Sequence, residues 1–442
     1  MDLRDFIVTP FVIMAVYAIA YVLRRRLCDS VTYRYYFPAL TVKIVGALAV
    51  GFIYQFYYSG EGDTFNYHTR GSRVIWELLM DDPSAAINLI FSGDLSSHNK
   101  YMSQIVFYHD PSSFYVVRIA TLFDIITFSS YTGTAVLFGF VSFFGLWCLF
   151  RTFYELFPHL VKRIAISTLF VPSVVFWGSG ILKDTVVIAC LGFLTWAIKR
   201  ILIDRKFSFM AIISLAVSVV FIYAIKKYVL ICYLPVAIFW IYAGNLRRVQ
   251  SPMIRVMLFP LLLMITFVSG YLAIQKVGQN DSKYALDKIA QTATITAYDI
   301  GFYTGKNAGS SYSLGELDGS FGSLVSHLPQ AINVSLFRPY LWEAKNPLML
   351  LSSIEAFALL TITVYLFARG PLRFIKSLGN EHVLFCMVFS LSFAFAVGVS
   401  TYNFGTLNRY KIPLIPFYLL ALTIIADRSK SDKKLEVLEV TE

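Results

Sequence analysis

Charged residues are scarce in this chain of 442 residues. They make up 15% of it, whereas residues of the set AVILMFWYC make up 57%. A soluble domain has roughly 25% charged and roughly 45–50% apolar residues, so both values depart in the direction of a membrane protein. Mean hydropathy is +0.64. The composition therefore excludes a soluble globular enzyme, a disordered chain and a nucleic-acid-binding module.

Cysteine and histidine are also scarce, with 5 and 6 residues respectively. There is no CxxC pair, and neither HxxxH nor HExxH occurs, which argues against a disulfide framework and a catalytic zinc site. The glycine-rich motifs that cradle nucleotide phosphates are missing as well. We therefore expect no certain cofactor, with a divalent metal left as an open alternative.

Long apolar stretches are the main feature of the sequence. About 20 apolar residues are needed to cross ~30 Å of hydrocarbon. About eleven stretches approach this length: 6–23, 40–58, 131–150, 163–178, 182–198, 207–223, 228–245, 255–274, 348–367, 382–400 and 411–426. The predicted fold is an all-α polytopic membrane protein, with residues 1–442 as one integral membrane domain. The fourth and fifth stretches are so close that they form either a tight hairpin or two half-depth segments.

The distribution of Lys and Arg predicts the orientation. Three arginines and no cleavage site follow the first stretch, so we expect a retained helix rather than a signal peptide. With the N-terminus outside, the inner segments hold 21 Lys and Arg in 77 residues, and loops 59–130 and 275–346 hold 10 in 144. Cytoplasmic loops are usually the richer in these residues. Both long loops are thus predicted to be extracytoplasmic, and the tail 427–442 cytoplasmic.

The two outer loops differ in composition. In loop 59–130 the apolar pattern predicts interfacial helices, and Asp82-Pro83 and Asp110-Pro111 are typical helix starts. We expect this loop to form a folded cap. In the second loop the glycine-rich segment 301–323 is predicted to be mobile and to close over bound substrate.

Ionisable residues near the predicted membrane boundary are the candidate site residues. Asp63 directly follows the second stretch, together with Tyr67 and His68. A carboxylate at this position is either a base that faces a cavity or a turn residue in solvated contact with Arg70.

Four further groups share this boundary position, and each has a simpler interpretation. Lys183 and Asp184 could merely pair or cap a helix, lysines at a boundary can reach lipid headgroups, and aromatic residues there are common anchors. Alternatively, the cations could bind phosphate. These candidates are Trp177, Lys183 and Asp184; Lys226 and Lys227; Arg338, Trp342 and Glu343; and Arg409, Tyr410 and Lys411.

Three of these patterns resemble motifs of polytopic C-type (GT-C) membrane glycosyltransferases. An Asp with a following Tyr, here Asp63 and Tyr67, is similar to the first-loop acidic motif. The stretch 172–184 is similar to a hairpin with proline, aromatic and acidic residues, and 409–416 resembles the family's RYRLPxxP motif. The resemblance implies a donor sugar on a polyprenyl phosphate, Asp63 as base, and Arg409 and Lys411 near the lipid phosphate.

Two departures from the family pattern are visible. Asp63 follows two apolar stretches rather than one, which implies an extra N-terminal helix. The acidic motif has one carboxylate rather than a pair, which leaves the metal requirement open.

The predicted function follows from the resemblance and the boundary residues. It is transfer of a sugar or oligosaccharide from a polyprenyl (di)phosphate to a glycan, lipid or protein acceptor. The reaction is placed on the extracytoplasmic face of a bacterial inner membrane, without nucleic acid as a partner. An O-antigen or exopolysaccharide polymerase is the close alternative, and a transporter or flippase of lipid-linked sugars is the alternative from another class.

The predicted orientation can be tested by labelling single introduced cysteines in intact cells. A membrane-impermeant maleimide should label cysteines in loop 59–130 and leave those in 199–206 unmodified, because the inner segments carry the excess of positive charge. The opposite pattern would place Asp63 on the cytoplasmic side and remove the basis of the functional prediction.

Overall fold

A computed structural model describes residues 2–92, 99–246, 288–300, 310–315 and 318–427, with isolated positions between 251 and 276. Two predicted features lie largely outside the described residues, the apolar stretch 255–274 and the tail 427–442, and the glycine-rich segment 301–323 is described only at 310–315 and 318–323. Apart from one isolated bridge between Ser311 and Asn403, the described residues form helices, turns and irregular connections.

The helices of the N-terminal half are numbered in chain order. They are α1 (Leu3–Leu27), α2 (Tyr33–Phe52), α3 (Asp63–Tyr67), α4 (Arg73–Asp81), α5 (Pro83–Phe91), α6 (Asn99–Met102), α7 (Pro111–Thr127), α8 (Tyr131–Leu156), α9 (Val161–Leu169), α10 (Pro172–Trp177), α11 (Lys183–Ile198), α12 (Phe209–Ile225) and α13 (Lys227–Leu246). Single π-helical turns follow α2, α3 and α11, at Ile53–Tyr57, His68–Ser72 and Lys199–Ile203.

The helices of the C-terminal half continue this numbering. They are α14 (Ile289–Ile300), α15 (Phe321–Ser326), α16 (Leu328–Phe337), α17 (Pro347–Arg369), α18 (Pro371–Ser377), α19 (Glu381–Thr401), α20 (Phe404–Tyr410) and α21 (Ile415–Asp427).

Seven of the described helices are long and apolar enough to cross a membrane: α1, α2 with its π turn, α8, α11 with its π turn, α13, α17 and α19. The pair α20 and α21 makes an eighth candidate, bent by 67° between its halves. The chain is thus an all-helical integral membrane protein, as the composition predicts. The number of eleven spans is not confirmed, and α12 is a shorter apolar helix of 17 residues.

The predicted stretch 163–178 does not form one membrane-crossing helix. It consists of the nine-residue α9 and the six-residue α10, which at ~1.5 Å per residue are each far shorter than ~30 Å. Pro172 is the cause, since proline has no N–H to continue a helix and forces the preceding residue out of helical geometry. Val171 accordingly has φ −72° and ψ 125°. Residues 163–178 are therefore two short helices, whereas the fifth stretch, 182–198, lies in the full-length candidate α11, so neither the tight hairpin nor the pair of half-depth segments is confirmed.

Loop 59–130 contains a helix at each of the two starts that its sequence predicts. The side chain of Asp82 accepts a hydrogen bond from the backbone N–H of Ala85 at the start of α5. Asp110 accepts one from the backbone N–H of Ser112 at the start of α7. In both cases proline occupies the first helical position, where its missing N–H costs nothing.

The chain divides into two compact units. The first contains Met1–Val161, Leu169–Ala197 and Phe209–Lys226, and the second contains Lys162–Thr168, Ile198–Ser208 and Lys227–Glu442. In the first unit α8 is central, since α1 and α2 both pack against it. In the second, α19 has this role and packs against α13, α14 and α16. Trp240 of α13 stacks on Phe385 of α19 with ring centroids 4.4 Å apart.

Two glycines set the distance between α8 and α11. A Cβ atom added to Gly192 would lie 1.9 Å from the carbonyl oxygen of Gly145, and one added to Gly145 would lie 2.3 Å from that of Ala189. Such distances are not tolerated between backbones. Small residues that permit close helix contact are a common basis of packing inside membranes.

Replacement of either glycine by alanine should therefore destabilise the protein, with Gly192→Ala the more damaging. We expect a loss of about 1–3 kcal/mol in unfolding free energy, or more, because the backbones must separate. Gly322→Ala is a matched control, since its added Cβ meets no atom closer than 3.9 Å. Thermal unfolding in detergent measures the difference, and equal midpoints for all three variants would contradict it.

Candidate functional site

Asp63 is placed by a tight turn between α2 and α3. Gly62 has φ +106°, and a Cβ at this position would lie 2.6 Å from Cε1 of Tyr54. Only glycine fits both the left-handed backbone and the contact with the ring. Asp63 is the first residue of α3. The turn thus fixes the carboxylate at the start of a helix, directly after a membrane-spanning element.

Lys183 is the first residue of α11, and its side chain contacts residues of loop 59–130. Its Nζ atom lies 3.3 Å from Oδ2 of Asp110 and 2.7 Å from Oγ of Ser112. Lys183 also interacts electrostatically with Lys226 and Asp63. Partial burial alone would raise the pKa of Asp110, but Lys183 and the hydroxyl groups of Ser112 and Ser113 outweigh it and lower the pKa to about 2. Asp110 is therefore ionised at physiological pH.

Asp184 and Lys226 form an ion pair inside the first unit, between Oδ1 and Nζ. The side chains are 1% and 6% exposed. Asp184 lies in the first turn of α11, and Lys226 directly follows α12. Removal of two charges from water costs several kcal/mol each, and their mutual attraction offsets part of that cost. The interpretation that Lys226 reaches lipid headgroups is wrong, because a buried carboxylate binds it instead.

These residues form one group, which we call the carboxylate–lysine cluster: Asp63, Asp110, Lys183, Asp184 and Lys226. Four of them are candidates from the sequence, drawn from three separate segments. Asp110 is predictable only as the start of a helix, because its second role depends on a residue 73 positions later. The fold thus brings together residues whose spacing in the chain gives no indication of contact.

Lys43 is a buried cation that the sequence analysis does not identify as a site residue. It lies in α2, is 1% exposed, and donates hydrogen bonds to the carbonyl oxygens of Val174 and Gly178, at 2.9 and 2.8 Å. Trp177, a predicted site residue, ends α10 between these two carbonyls. The sequence does indicate Lys43, because a lysine within an apolar stretch is a functional candidate by default.

Tyr67 and His68 lie in the interior of the first unit. The ring of Tyr67 packs on Phe107 with centroids 4.7 Å apart. His68 is 0% exposed, and its Nε2 lies 3.4 Å from Oδ1 of Asp124, a contact without hydrogen-bond geometry. Asp124, also missed from the sequence, accepts hydrogen bonds from Ser72 and Thr134. Tyr67 thus contacts Phe107, which precedes α7, and His68 contacts Asp124 within α7.

The second unit holds a separate group around Arg338. Two hydrogen bonds of 3.1 Å join Nε of Arg338 to the two carboxylate oxygens of Glu343. Burial of Glu343 would raise its pKa, but Arg338 and the backbone N–H of Tyr340 outweigh this and lower it, while the bond to Glu343 raises the pKa of Arg338. The side chain of Trp342 stacks on Tyr340 and is 80% exposed. It therefore has the exposure of an interfacial aromatic residue.

Arg409, Tyr410 and Lys411 lie at the break between α20 and α21. Lys411 is buried, and its Nζ lies 3.5 Å from the carbonyl oxygen of Arg338. The guanidinium of Arg409 lies 5.1 Å from the ring centroid of Tyr410. Lys227 begins α13 in the same unit. Among the residues that the structure describes, no three His, Cys, Asp or Glu residues are arranged to hold a metal ion.

Comparison with known proteins adds no relative to this description. No family model matches the chain, and neither a curated protein nor a solved structure is detectably similar to it. Function must therefore be inferred from the site itself.

The ion pair between Asp184 and Lys226 predicts that removal of one charge destabilises the protein more than removal of both charges. Asp184→Asn leaves a lysine buried without its carboxylate and should lower the unfolding free energy by about 3–5 kcal/mol. Asp184→Leu combined with Lys226→Met removes both charges and should recover most of that loss. Unfolding in mixed micelles measures each value, and a double variant less stable than Asp184→Asn would contradict the assignment.

Proposed function

We propose that this protein is a membrane-embedded glycosyltransferase. It moves a sugar or oligosaccharide from a polyprenyl (di)phosphate carrier to an acceptor on the extracytoplasmic face, with Asp63 as the general base. The main observation in support of this proposal is the carboxylate–lysine cluster, in which ionisable groups of loop 59–130 and of the ends of apolar helices lie close together. The cell envelope of a bacterium, at the inner membrane, is the setting we propose.

The location of the cluster supports a lipid-linked donor. A polyprenyl chain remains in the bilayer, so the bond that is broken must lie near the membrane surface. Asp63 directly follows the spanning segment that ends at Tyr57, and Lys183 begins another. Such positions bring a hydrophilic reaction centre to the end of apolar helices.

The chemistry of transfer suits a carboxylate at this position. An acceptor hydroxyl is a weak nucleophile, and a positioned base accelerates its attack by about 10²–10⁴-fold. The hydroxyl proton passes to Asp63 as the bond to the sugar forms, and the bond between the sugar and the lipid phosphate breaks. Asp63 lies within electrostatic reach of Lys183, and a nearby cation favours the ionised form that a base requires.

The lipid phosphate needs positive charge. Within the carboxylate–lysine cluster, Lys183 and Lys226 each have a carboxylate partner, Asp110 and Asp184. We therefore keep Arg409 and Lys411 as the proposed phosphate ligands, as the resemblance implies, with the guanidinium as a bidentate ligand.

Asp63→Asn tests the central assignment, because it keeps the size of the side chain and removes the proton acceptor. Transfer from a polyprenyl-diphosphate-linked oligosaccharide should fall by at least ~10²-fold, while protein yield and unfolding midpoint stay unchanged. Asp299→Asn, the same change at an exposed Asp of α14, should retain full activity. Full activity of Asp63→Asn would exclude it as the base and leave Asp184 and Glu343 as the next candidates.

Arg409 tests the phosphate assignment. Arg409→Lys should weaken donor binding although it keeps the charge, because lysine cannot hold two phosphate oxygens in a planar fork, and Arg409→Ala should weaken it further. Donor-lipid affinity in nanodiscs measures the series. Equal affinity for all three proteins would reduce Arg409 to a membrane anchor.

Two alternative functions make different predictions in the same assay. A polysaccharide polymerase would give products that grow by repeating units, whereas a glycosyltransferase adds its unit once. A transporter or flippase is favoured by the bent pair α20–α21, since broken helices frequently form transport sites. It would move a fluorescent lipid-linked sugar across a vesicle membrane without any new glycosidic bond.

A further inference from the structure

Helix α10 and the residues that follow it lie between Lys43 and the carboxylate–lysine cluster in the network of contacts. We call residues 172–182, from the start of α10 to the residue before Lys183, the 172–182 segment. Lys43 donates to two carbonyl oxygens of this segment, and Oγ of Ser142 donates to one of them, that of Gly178, at 2.6 Å. Both donors come from spanning helices, α2 and α8. The segment is thus held at its centre by side chains from two directions.

The backbone of the segment also lies unusually close to α2. A Cβ atom added to Gly46 would lie 2.2 Å from the carbonyl oxygen of Val175, and one added to Gly180 would lie 2.7 Å from Cγ1 of Val50. Lys43, Gly46 and Val50 of α2 thus all lie against this segment. Of these three residues, Lys43 is the one that donates hydrogen bonds to it.

The chemical identity of the side chain is informative here. Lys43 is buried, and it donates to two carbonyl oxygens. An apolar side chain would fill the same space without the cost of burying an amine. What an apolar side chain cannot do is donate hydrogen bonds to these carbonyls, of which that of Val174 also accepts the backbone N–H of Gly178 and that of Gly178 lies just beyond the end of α10. The benefit of lysine is therefore the fixed position of the segment.

We propose that Lys43 is a positioning residue, which holds the 172–182 segment on α2 and thereby fixes Lys183 and Asp184 relative to Asp63. The link consists of helix on one side and of a short connection on the other. From Lys43, α2 and its π turn lead directly to the turn that carries Asp63, and from Gly178 the chain reaches Lys183 after four residues. The effect on catalysis rests on the proposed function, whereas the effect on the segment does not.

Hydrogen exchange followed by mass spectrometry tests the link without any assumption about activity. In Lys43→Met, amides in peptides covering 174–184 should exchange about tenfold faster than in the wild type, because opening no longer breaks the two hydrogen bonds from Lys43. Lys43→Arg retains donors and should restore most of the protection. Ser142→Ala removes one hydrogen bond to the same carbonyl and should give a smaller increase. Lys162→Met, the same change at an exposed lysine, should leave these peptides unchanged.

Kinetics in the proposed transfer reaction separate a positioning role from a general loss of structure. Lys43→Met should lower kcat by about 10²-fold with little change in KM, as expected when reacting groups move by about 1 Å. Unchanged exchange in both Lys43→Met and Ser142→Ala would overturn the proposal. If Lys43→Met does not fold, Ser142→Ala and Lys43→Arg carry the test by themselves. If the wild type transfers no sugar, the proposed function fails, and the exchange experiment still decides the role of Lys43.

Discussion

The cost of placing charge in a membrane interior is the constraint on which the structure of the first unit depends. Three buried ionisable groups there contact partners that reduce this cost: Asp184 contacts Lys226, Asp124 contacts hydroxyl groups, and Lys43 contacts backbone carbonyls. These partners belong to different helices, so every such contact also fixes the position of one helix relative to another. Glycines complement them, because they allow backbones to approach until the polar groups meet.

The carboxylate–lysine cluster is a result of this arrangement. Its ion pairs are worth little as a source of stability, since a buried pair only compensates for its own desolvation. Their effect is to give the charged atoms defined places at the ends of apolar helices. Preorganised charge of this kind is what catalysis of a charge-forming reaction requires. The second unit uses the same chemistry around Arg338, where one carboxylate accepts from a guanidinium and a backbone N–H.

Composition and periodicity predict the class of fold and most of the spanning helices, because hydrocarbon selects long apolar runs. They fail at 163–178, where an apolar run contains a proline and is broken into two short helices. Asp63, Lys183, Asp184 and Lys226 are identifiable as ionisable groups at a boundary. The sequence does not indicate which of these residues contact each other. It also does not indicate the contacts of Asp110 and Lys43, which join positions 73 to 135 residues apart. Only the packing of helices determines such distances.

Asp110 has two structural roles, and these have a practical consequence for loop 59–130. Its carboxylate accepts the N–H of Ser112 at the start of α7 and also binds Lys183. The loop is therefore not a detachable module that can be shortened or exchanged independently of the membrane helices. A chimera that replaces 99–127 with a flexible linker would leave Lys183 without its counter-charge. Engineering of this protein should begin from the exposed surface of the loop, with the start of α7 kept intact.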